Sequence, residues 1–474
     1  MEDMQNQPPH VVLLSSPGLG HLIPIIELGK RFLRHHNFKV TILAVTFQAS
    51  NAEAEVLRSS LCDVIEIPPP DLPAGAGAAL ATRLCMTMRA AVPAIRAVLS
   101  TMQLRPSAFI VDIFGTDSLP VAAELNIRKF VYVTSHAWFL SLLVYLSVLD
   151  EIIEGQYVDQ NKPLTIPGSS PVRPEDVFDP MQDRNDMQYS ECLTLGKAIP
   201  RSDGVLVNTW EELQCRDLEA LRDQNLMGRV LKVPVYAVGP IMREPDSETG
   251  WDSEWVVQWL DKQPRDSVVY VSFGSGGTMS YEQMREIAFG LELSEQRFVW
   301  VVRAPTEGVT DAAYLTMGRG TSDDWDGVLP EGFVERTWEV GLVVPQWAPQ
   351  VTVLRHSSVG AFLSHCGWGS TLESVMSGVP MIAWPLYAEQ RMNATLLAEE
   401  LGVAVRTKEL PTKKVVRREE IASMVREVIQ LRDGRISAVT KRVKEIKHSA
   451  EKALSPGGSS HTALAQVAKI IIGG

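Results

Sequence analysis

The sequence predicts an α/β protein made of two doubly wound domains, each a parallel sheet with helices on both faces. Two observations support this fold class. The chain opens on a strand, a glycine turn, a helix and a second strand, and a pattern of the same kind restarts after residue 253. With 474 residues, the chain is long enough for two domains of ordinary size, each with its own hydrophobic core.

The first domain is predicted to span residues 1–238. It begins with the apolar strand HVVLLSS, the glycine turn PGLGH, the amphipathic helix LIPIIELGKRFLRHH and the strand FKVTILAVT. A β-α-β opening of this kind is typical of a parallel sheet. Further candidate strands are DVIEIP, SAFIVDIF, KFVYVT and GVLVNT.

The segment 239–253 combines Pro, Gly and several charges, which is typical of an exposed interdomain linker. The second domain, residues 254–455, is predicted from the strands SVVYVSFGS, RFVWVVR and GLVVPQW and the helix YEQMREIAFGLELS. Residues 304–328 lack periodicity and are predicted to be a mobile insertion, and residues 456–474 are predicted to be a final helix. A ligand is expected between two such halves, at the carboxyl ends of the strands.

Composition excludes several classes of protein. The residues are 45% hydrophobic and 22% charged, as in a globular protein, and the net charge of −12 argues against a nucleic-acid or anionic-membrane partner. The five cysteines show no C-x-x-C pairing, so neither a zinc cluster nor a disulfide framework is predicted. The polar opening MEDMQNQPPH is unlike a signal peptide, and the longest apolar stretch is too short to span a bilayer, so we expect a cytosolic protein.

Residues 347–390 carry the strongest functional signal. Within them, the strand GAFL, the glycine turn SHCGWGS and the run STLESVMSG predict a strand, a tight turn and a helix. A diphosphate near the helix start, at Gly367 to Ser370, would be held by free backbone N–H groups without a metal. His365 could donate a proton to a phosphate oxygen, and Glu373, expected in the first helical turn, could accept both hydroxyls of a ribose. Alternatively, Glu373 is a first-turn acid that favours the helix dipole, and Trp347 and Trp368 are core aromatics.

The order of W-A-P-Q, L-x-H-x-x-x-G-x-F-x-S-H-C-G-W, S-x-x-E, G-V-P and E-Q closely resembles the signature box of plant family 1 UDP-glycosyltransferases. This resemblance implies a fold of the GT-B type, in which two Rossmann-like domains face each other across a cleft and the final helix packs back on the first domain. It also implies the absence of the C-terminal membrane anchor that animal relatives carry. The roles it implies in donor binding are uracil stacking by Trp347, ribose binding by Gln350 and Glu373, phosphate binding by His365 and Ser370, contact with the sugar hydroxyls by Trp368, Glu389 and Gln390, and further donor contacts by Gly20, Ala348, Gly367 and Tyr387.

One position departs from the family pattern. Gly369 stands where the family usually has Asn, which removes a side-chain amide expected to contact the diphosphate. A lost hydrogen bond to a charged group costs about 1.5–3 kcal/mol when nothing replaces it. We therefore expect an active enzyme with weaker donor binding, in which water or the backbone amide of Gly369 substitutes.

His21 and Asp112 are the predicted catalytic pair. The turn SSPGLGH is not a dinucleotide fingerprint, because Ile23 stands where a third glycine would fall and no acid ends the second strand. His21 lies at a helix start, where the positive end of the dipole disfavours protonation and keeps the imidazole ready to act as a base. Asp112, at the end of SAFIVDIF, would stabilise the imidazolium; the alternatives are capping or packing roles for both residues. In the family the resemblance points to, a His and an Asp in these contexts form such a dyad. Asp117 is the competing acid and is expected to cap the next helix.

The parts together predict an inverting transfer that needs no cofactor and no metal. His21 would remove the acceptor proton, and the oxygen would attack the anomeric carbon of UDP-glucose opposite the leaving UDP, giving a β-glucoside. Ser16 and Ser275, each in a strand-to-turn site, are weaker candidates for the diphosphate. Ser135, with Thr134 as competitor, resembles the family position that contacts the 6-hydroxyl of the sugar.

The acceptor is predicted to be a small phenol. A whole-chain resemblance to the plant subgroup that acts on hydroquinone, chlorinated phenols and monolignols favours it, as does the ease of removing a phenolic proton. Flavonoid or amine acceptors and a non-catalytic nucleotide-sugar binder remain open, and the expected assembly is a monomer. Gln390 is associated in the family with glucose donors. The candidate apolar walls are Met86, Phe114, Trp138, Phe139 and Leu142, with ordinary core roles as the alternative.

Overall fold

The computed structural model describes residues 8–46, 51–68, 79–244, 254–314, 327–429 and 437–473. The chain forms two compact units. Unit 1 takes in residues 1–49, 53–242 and 449–474, and unit 2 takes in residues 50–52 and 243–448.

Unit 1 is built on a seven-stranded sheet in the order β3-β2-β1-β4-β5-β6-β7, in which every pair of neighbours is parallel. Its strands are β1 (His10–Ser15), β2 (Lys39–Val45), β3 (Asp63–Ile67), β4 (Ala108–Asp112), β5 (Arg128–Val133), β6 (Gly204–Val207) and β7 (Val235–Ala237). The central strands are apolar and buried along nearly their whole length, because helices cover both faces of a parallel sheet.

The helices of unit 1 connect these strands. They are α1 (Leu19–His36), α2 (Asn51–Arg58), α3 (Leu80–Thr101), α4 (Leu119–Glu124), α5 (Ala137–Ile152), α6 (Met187–Ala198) and α7 (Cys215–Arg222). Local signals fix several ends: Asn37 adopts a left-handed conformation after α1, and the His136 ring accepts a hydrogen bond from Phe139 N at the start of α5. The strand order turns around between β1 and β4, so the loops after these two strands open at the same edge of the sheet.

The C-terminal segment of the chain also belongs to unit 1. Its last helix, α16 (Ser459–Ile472), packs beside β7 and α1. The hydroxyl of Ser460 donates to Gly239 O, and the Ser459 hydroxyl donates to Glu212 Oε2 at 2.8 Å. These bonds tie residues separated by more than two hundred positions in the sequence.

Unit 2 is built on a six-stranded parallel sheet in the order β10-β9-β8-β11-β12-β13. Its strands are β8 (Val268–Ser272), β9 (Arg297–Val302), β10 (Gly341–Pro345), β11 (Val359–Ser364), β12 (Met381–Ala383) and β13 (Ala404–Arg406). Its helices are α8 (Glu254–Leu260), α9 (Tyr281–Ser294), α10 (Phe333–Thr337), α11 (Gln350–Arg355), α12 (Trp368–Ser377), α13 (Gln390–Thr395) and α14 (Arg418–Ile429), and α15 (Ala438–Leu454) begins in unit 2 and ends in unit 1.

The structure contains three short strands that were not predicted, and it shows hydrogen bonds in part of the predicted mobile insertion. Strands β7, β12 and β13 are three residues each and were not predicted. Residues 304–314 of the predicted mobile insertion are hydrogen-bonded to the segment before α9 and to the first residue of that helix. Thr278 N donates to Thr310 O and Tyr281 N donates to Glu307 Oε1, each at 3.0 Å. Residues 315–326, in the same predicted insertion, lie outside the described residues, as do residues 245–253 of the predicted linker.

The domain limits at 238, 253 and 455 stay predictions, although unit 1 ends at Met242 in its second segment and resumes at Ser449. In the described part of the chain, none of the helices is both long enough and apolar enough to cross a membrane.

Candidate functional site

His21 is the third residue of α1 and lies directly after the turn that follows β1. The turn is shaped by Gly18, whose φ of 103° strongly favours glycine, and the Gly18 N–H donates to Glu53 Oε1 at 2.7 Å. The His21 Nδ1 lies 3.3 Å from Asp112 Oδ2, and that nitrogen is buried, so the 15% exposure of the side chain falls on its other atoms. The geometry falls short of a hydrogen bond, and contacts of this kind often tighten only when substrate binds.

Asp112 ends β4, which pairs with β1, and its carboxylate therefore lies beside the turn that carries His21. The side chain is 0% exposed. Oδ2 accepts hydrogen bonds from the backbone N–H of Ser16, at 2.9 Å, and from the Ser16 hydroxyl, while Oδ1 accepts from Gly115 N at 3.0 Å. Three donors thus hold a buried negative charge next to the imidazole, which agrees with a paired carboxylate.

Phe114 is a candidate acceptor residue that contacts this pair. Its ring meets the His21 ring edge to face, with centroids 5.2 Å apart, and its side chain is half-buried. It belongs to the short 3-10 helix Ile113–Ser118, which the Asp112 side chain caps. The same carboxylate therefore faces the imidazole and caps the turn that presents Phe114.

The other candidate acceptor residues differ in burial. Met86 in α3 is half-buried, whereas Trp138, Phe139 and Leu142 in α5 are 1%, 5% and 0% exposed. The Trp138 indole also donates to Ser170 O at 2.7 Å. Trp138 and Leu142 therefore form part of the core of unit 1, which is the alternative that the sequence left open, and Met86 and Phe114 keep exposed surface.

Several polar residues predicted near this pair have roles visible in the structure. The Ser16 hydroxyl is engaged by Asp112, so its part in donor binding stays a prediction. Ser135 follows β5 and is 6% exposed, and Gly20 has open space where a side chain would stand. Asp117 was expected to cap the next helix, but α4 has no side-chain cap, and Asp117 Oδ2 instead accepts from Arg89 Nε at 2.9 Å.

In unit 2, the chain turns sharply between β11 and α12. Cys366 adopts a left-handed conformation with φ of 64°, Gly367 is the residue before the helix, and Trp368 is the first helical residue. This conformation is unusual for a residue other than glycine, and it lets the backbone reverse within three residues. The N-terminus of α12 therefore lies at the carboxyl edge of the sheet, where a helix can bind an anion.

His365 lies in this turn, and glycines from this turn and from the turn after β8 enclose its ring. A Cβ on Gly274 would overlap the imidazole, and one on Gly367 would lie 2.5 Å from its Nε2. Burial, and then the nearby Arg303 charge, lower the pKa of His365 from its usual 6.5 to about 3. The ring is therefore neutral near pH 7 and carries one N–H that could reach a phosphate oxygen.

Gln350, Ser370 and Glu373 form a hydrogen-bonded cluster. The Gln350 Nε2 donates to Ser370 Oγ at 2.9 Å and to Glu373 Oε2 at 2.6 Å. Because α12 begins at Trp368, Glu373 is in its second turn, so the predicted first-turn position is wrong, as is the alternative of a first-turn acid. The cluster brings an amide, a hydroxyl and a carboxylate together on the first two turns of two helices, which suits the recognition of vicinal hydroxyls.

The remaining residues of the predicted donor site are distributed around this edge. Trp347 is half-buried, and the Arg243 guanidinium lies 5.8 Å from its ring, while Ala348 is 4% exposed. Trp368 is 3% exposed, in keeping with the core alternative. Ser275, half-buried, follows Gly274 in the turn after β8.

Tyr387, Glu389 and Gln390 lie at the turn into α13. Tyr387 is 7% exposed, and burial raises the pKa of its phenol. Gln390, predicted to contact sugar hydroxyls, is 3% exposed, and its Oε1 accepts from the backbone N–H groups of Leu386 and Tyr387, each at 3.0 Å. Glu389 is more exposed and accepts from Asn393 Nδ2 at 3.3 Å.

Gly369 is the second residue of α12, and nothing lies within 4 Å of the Cβ that a larger residue would have there. The first turn of the helix therefore has space for a side chain where this chain has none.

The sequence did not reveal Arg243, Arg303 or Glu53. Arg303 could have been suspected from a charge placed directly after the apolar strand RFVWVV, but Arg243 and Glu53 carry no local signal. Arg243 reaches Trp347 across more than a hundred positions of sequence.

Comparison with known proteins identifies the family. The family described as UDP-glucoronosyl and UDP-glucosyl transferase matches residues 253–432. The chain is 56% identical to the anthocyanidin 3-O-glucosyltransferase 5 of Manihot esculenta over 461 residues, which cover 96% of this chain and 94% of that protein. The chain belongs to the UDP-glycosyltransferase family.

Two further comparisons place this UDP-glycosyltransferase among its relatives. It is 41% identical to the hydroquinone glucosyltransferase of Rauvolfia serpentina, over 97% of both chains. It also matches the structure of Phytolacca americana UGT2 complexed with UDP-2fluoro-glucose and pterostilbene, with a TM-score of 0.85, 38% identity, and coverage of 98% of this chain and all of that one. The UDP-glycosyltransferase is therefore an enzyme of the plant family 1 group, and its two parallel-sheet units are those of the GT-B fold, as predicted.

Proposed function

We propose that this UDP-glycosyltransferase transfers glucose from UDP-glucose to the hydroxyl of a small phenol, with inversion at the anomeric carbon. The observation that carries the proposal is the buried Asp112 carboxylate 3.3 Å from His21 Nδ1. With Nδ1 facing a carboxylate, the proton of the neutral ring is best placed on Nδ1, and Nε2 is left to accept a proton.

The proposed reaction has one proton transfer and one displacement. His21 Nε2 takes the proton of the acceptor hydroxyl as the acceptor oxygen forms a bond to the anomeric carbon. The bond from that carbon to the diphosphate oxygen breaks on the opposite face, and its electron pair leaves with UDP. Asp112 stabilises the imidazolium that forms, in the manner of the His and Asp of a serine triad. An α-linked donor thus gives a β-glucoside.

For the donor, we propose that unit 2 supplies the nucleotide site. The Gln350, Ser370 and Glu373 cluster supports ribose binding, because the Glu373 carboxylate can accept from two hydroxyls while Gln350 holds it in place. The N-terminus of α12 and the neutral His365 support the binding of the departing diphosphate without a metal.

For the acceptor, a phenol is favoured by its acidity relative to an alcohol and by the edge contact of Phe114 with His21. Two relatives support this choice, since one is named for hydroquinone and another was solved with pterostilbene. The relative of 56% identity is named for an anthocyanidin, which supports the flavonoid alternative. Glucose as the transferred sugar is supported by the glucosyltransferase names of two relatives.

The test is a transfer assay with UDP-glucose and a panel of phenols, in the presence and absence of EDTA. We expect a β-glucoside, identified by the coupling of its anomeric proton in NMR spectra, at rates that EDTA does not change. His21→Ala should abolish product, whereas His35→Ala, an exposed histidine in the last turn of the same helix, should not.

Four outcomes would contradict the proposal. Product formation that survives His21→Ala would remove the base assignment, and an α-glucoside would remove inversion. UDP binding without any product would point to a nucleotide-sugar binder, and loss of activity in EDTA that a divalent cation restores would remove the metal-free step.

A further inference from the structure

Arg303 stands directly after β9, at the carboxyl edge of the unit 2 sheet, and is hydrogen-bonded to loops on both sides. Its Nη1 donates to Gly274 O in the turn after the neighbouring strand β8. Its Nη2 donates to Gln346 O, at 3.2 Å, in the turn after the other neighbour, β10. Both carbonyls belong to residues in the left-handed region, with φ of 71° and 56°.

These two turns carry residues of the predicted donor site. Ser275 follows Gly274, and Trp347 follows Gln346. A planar guanidinium with several N–H groups in fixed directions can hold two carbonyls at once and still have N–H groups left over. Arg303 therefore ties the predicted diphosphate side of the site to the predicted uracil side.

The charge on Arg303 has no carboxylate partner in the described part of the chain. It makes no ion pair there, and burial lowers its pKa. A guanidinium stays protonated even so. It lies close enough to His365 to lower the pKa of that ring as well. Arg303 is half-buried, and a partly desolvated charge without a counter-ion carries a cost that an anionic ligand would relieve.

We propose that Arg303 is a positioning residue of the donor site, and that its charge is neutralised by the diphosphate of the bound UDP-sugar. This inference rests on the proposed function, because it assumes that unit 2 binds that donor. Arg303 would then raise affinity for each added phosphate, and it would hold the Ser275 and Trp347 turns at a fixed separation.

The test measures binding of uridine, UMP and UDP by calorimetry to the full-length chain and three variants. Arg303→Gln removes the charge and keeps an N–H donor, whereas Arg303→Lys keeps the charge and loses the planar fork. The matched control is Arg426→Gln. Among the described residues, Arg426 also donates only to backbone carbonyls, Ser294 O and Leu293 O, but does so at the C-terminal end of α9, away from the carboxyl edge of the sheet.

We expect the ratio of UDP to uridine affinity to fall about 10- to 100-fold in Arg303→Gln, which is the range of one charge-assisted contact. Arg303→Lys should keep most of that ratio, and Arg426→Gln should keep all of it. Raising the ionic strength should weaken UDP binding to the wild type more than to Arg303→Gln.

Equal losses for uridine and UDP in Arg303→Gln would show that the residue only ties the two turns, and would overturn the charge role. An unchanged ratio would overturn it too, as would an Arg303→Lys ratio as low as that of Arg303→Gln. A wild-type protein that binds neither uridine nor UDP would instead refute the proposed function, so the two failures are distinguishable.

Discussion

Asp112→Asn removes a charge from the proposed catalytic pair and changes little else in size. The carboxylate accepts three hydrogen bonds, two from Ser16 on Oδ2 and one from Gly115 on Oδ1. An amide has one oxygen, so its NH₂ group must face either the Ser16 donors or the Gly115 donor. We expect a cost of about 1–3 kcal/mol in stability from the bond that is lost.

The catalytic cost is larger and can be worked from the distance. A carboxylate 3.3 Å from an imidazolium contributes about 5 kcal/mol at an effective dielectric of about 20. That energy corresponds to between three and four powers of ten in rate, as an upper limit. Because the amide keeps a dipole that can accept from Nδ1, we expect kcat to fall by roughly a hundred- to a thousandfold.

The assay compares two acceptors. One is a phenol whose hydroxyl is protonated at the assay pH, and the other is a chlorinated phenol already ionised at that pH. If Asp112 acts through proton transfer, Asp112→Asn should be slow with the first acceptor and close to wild type with the second, since an ionised acceptor needs no base. The matched control is Asp117→Asn, five positions along the chain, which pairs with Arg89 at the surface and should be active with both.

Equal loss with the two acceptors would refute this reasoning, because the defect would then come from damage to the fold or to binding. Thermal unfolding of both variants, measured beside the rates, separates the stability cost from the catalytic one. A fully active Asp112→Asn protein with the protonated phenol would remove the residue from the mechanism.

Three further predictions concern unit 2. Gly369→Asn should lower the KM for UDP-glucose about tenfold or more by adding one hydrogen bond to a charged group, since the site has open space for a side chain. Gly369→Ala should lower the KM less. An unchanged KM in the Asn variant would contradict a role for this position in donor binding. Glu373→Ala should raise the KM for UDP-glucose about 10- to 100-fold while hardly changing that for a donor lacking the ribose hydroxyls, and an equal rise for both donors would count against ribose binding. Burial lowers the pKa of His365 from 6.5 to about 3, so between these pH values the unfolded chain binds a proton that the folded chain does not. The free energy of unfolding therefore keeps the full contribution of the neutral ring above pH 6.5 and loses it as the pH falls toward 3. In urea unfolding at pH 7 and pH 5, His365→Gln should lose less stability than wild type by roughly 2 kcal/mol, and equal losses in the two proteins would exclude the buried ring as the cause.

The long apolar strands could be predicted from the sequence because each carries its own signal. A run such as HVVLLSS or RFVWVVR, followed by a turn and an amphipathic helix, favours one local structure and one sheet type. Strands β7, β12 and β13 escaped because three residues are too few to show a pattern, and they pair only because neighbouring strands offer an edge.

The sequence by itself determined the fold class, the family, and the candidates His21, Asp112 and Glu373, because these lie in local motifs. Only the tertiary structure decided which groups are already engaged. The Ser16 hydroxyl donates to the carboxylate of Asp112, ninety-six positions away, and the Gln390 side chain accepts from the backbone of the loop just before it. Arg303 joins the turns after β8 and β10, and the sequence does not reveal that these two strands lie on either side of β9. Hydrogen bonds and charge pairing depend on distance in space, and distance along the chain does not determine that.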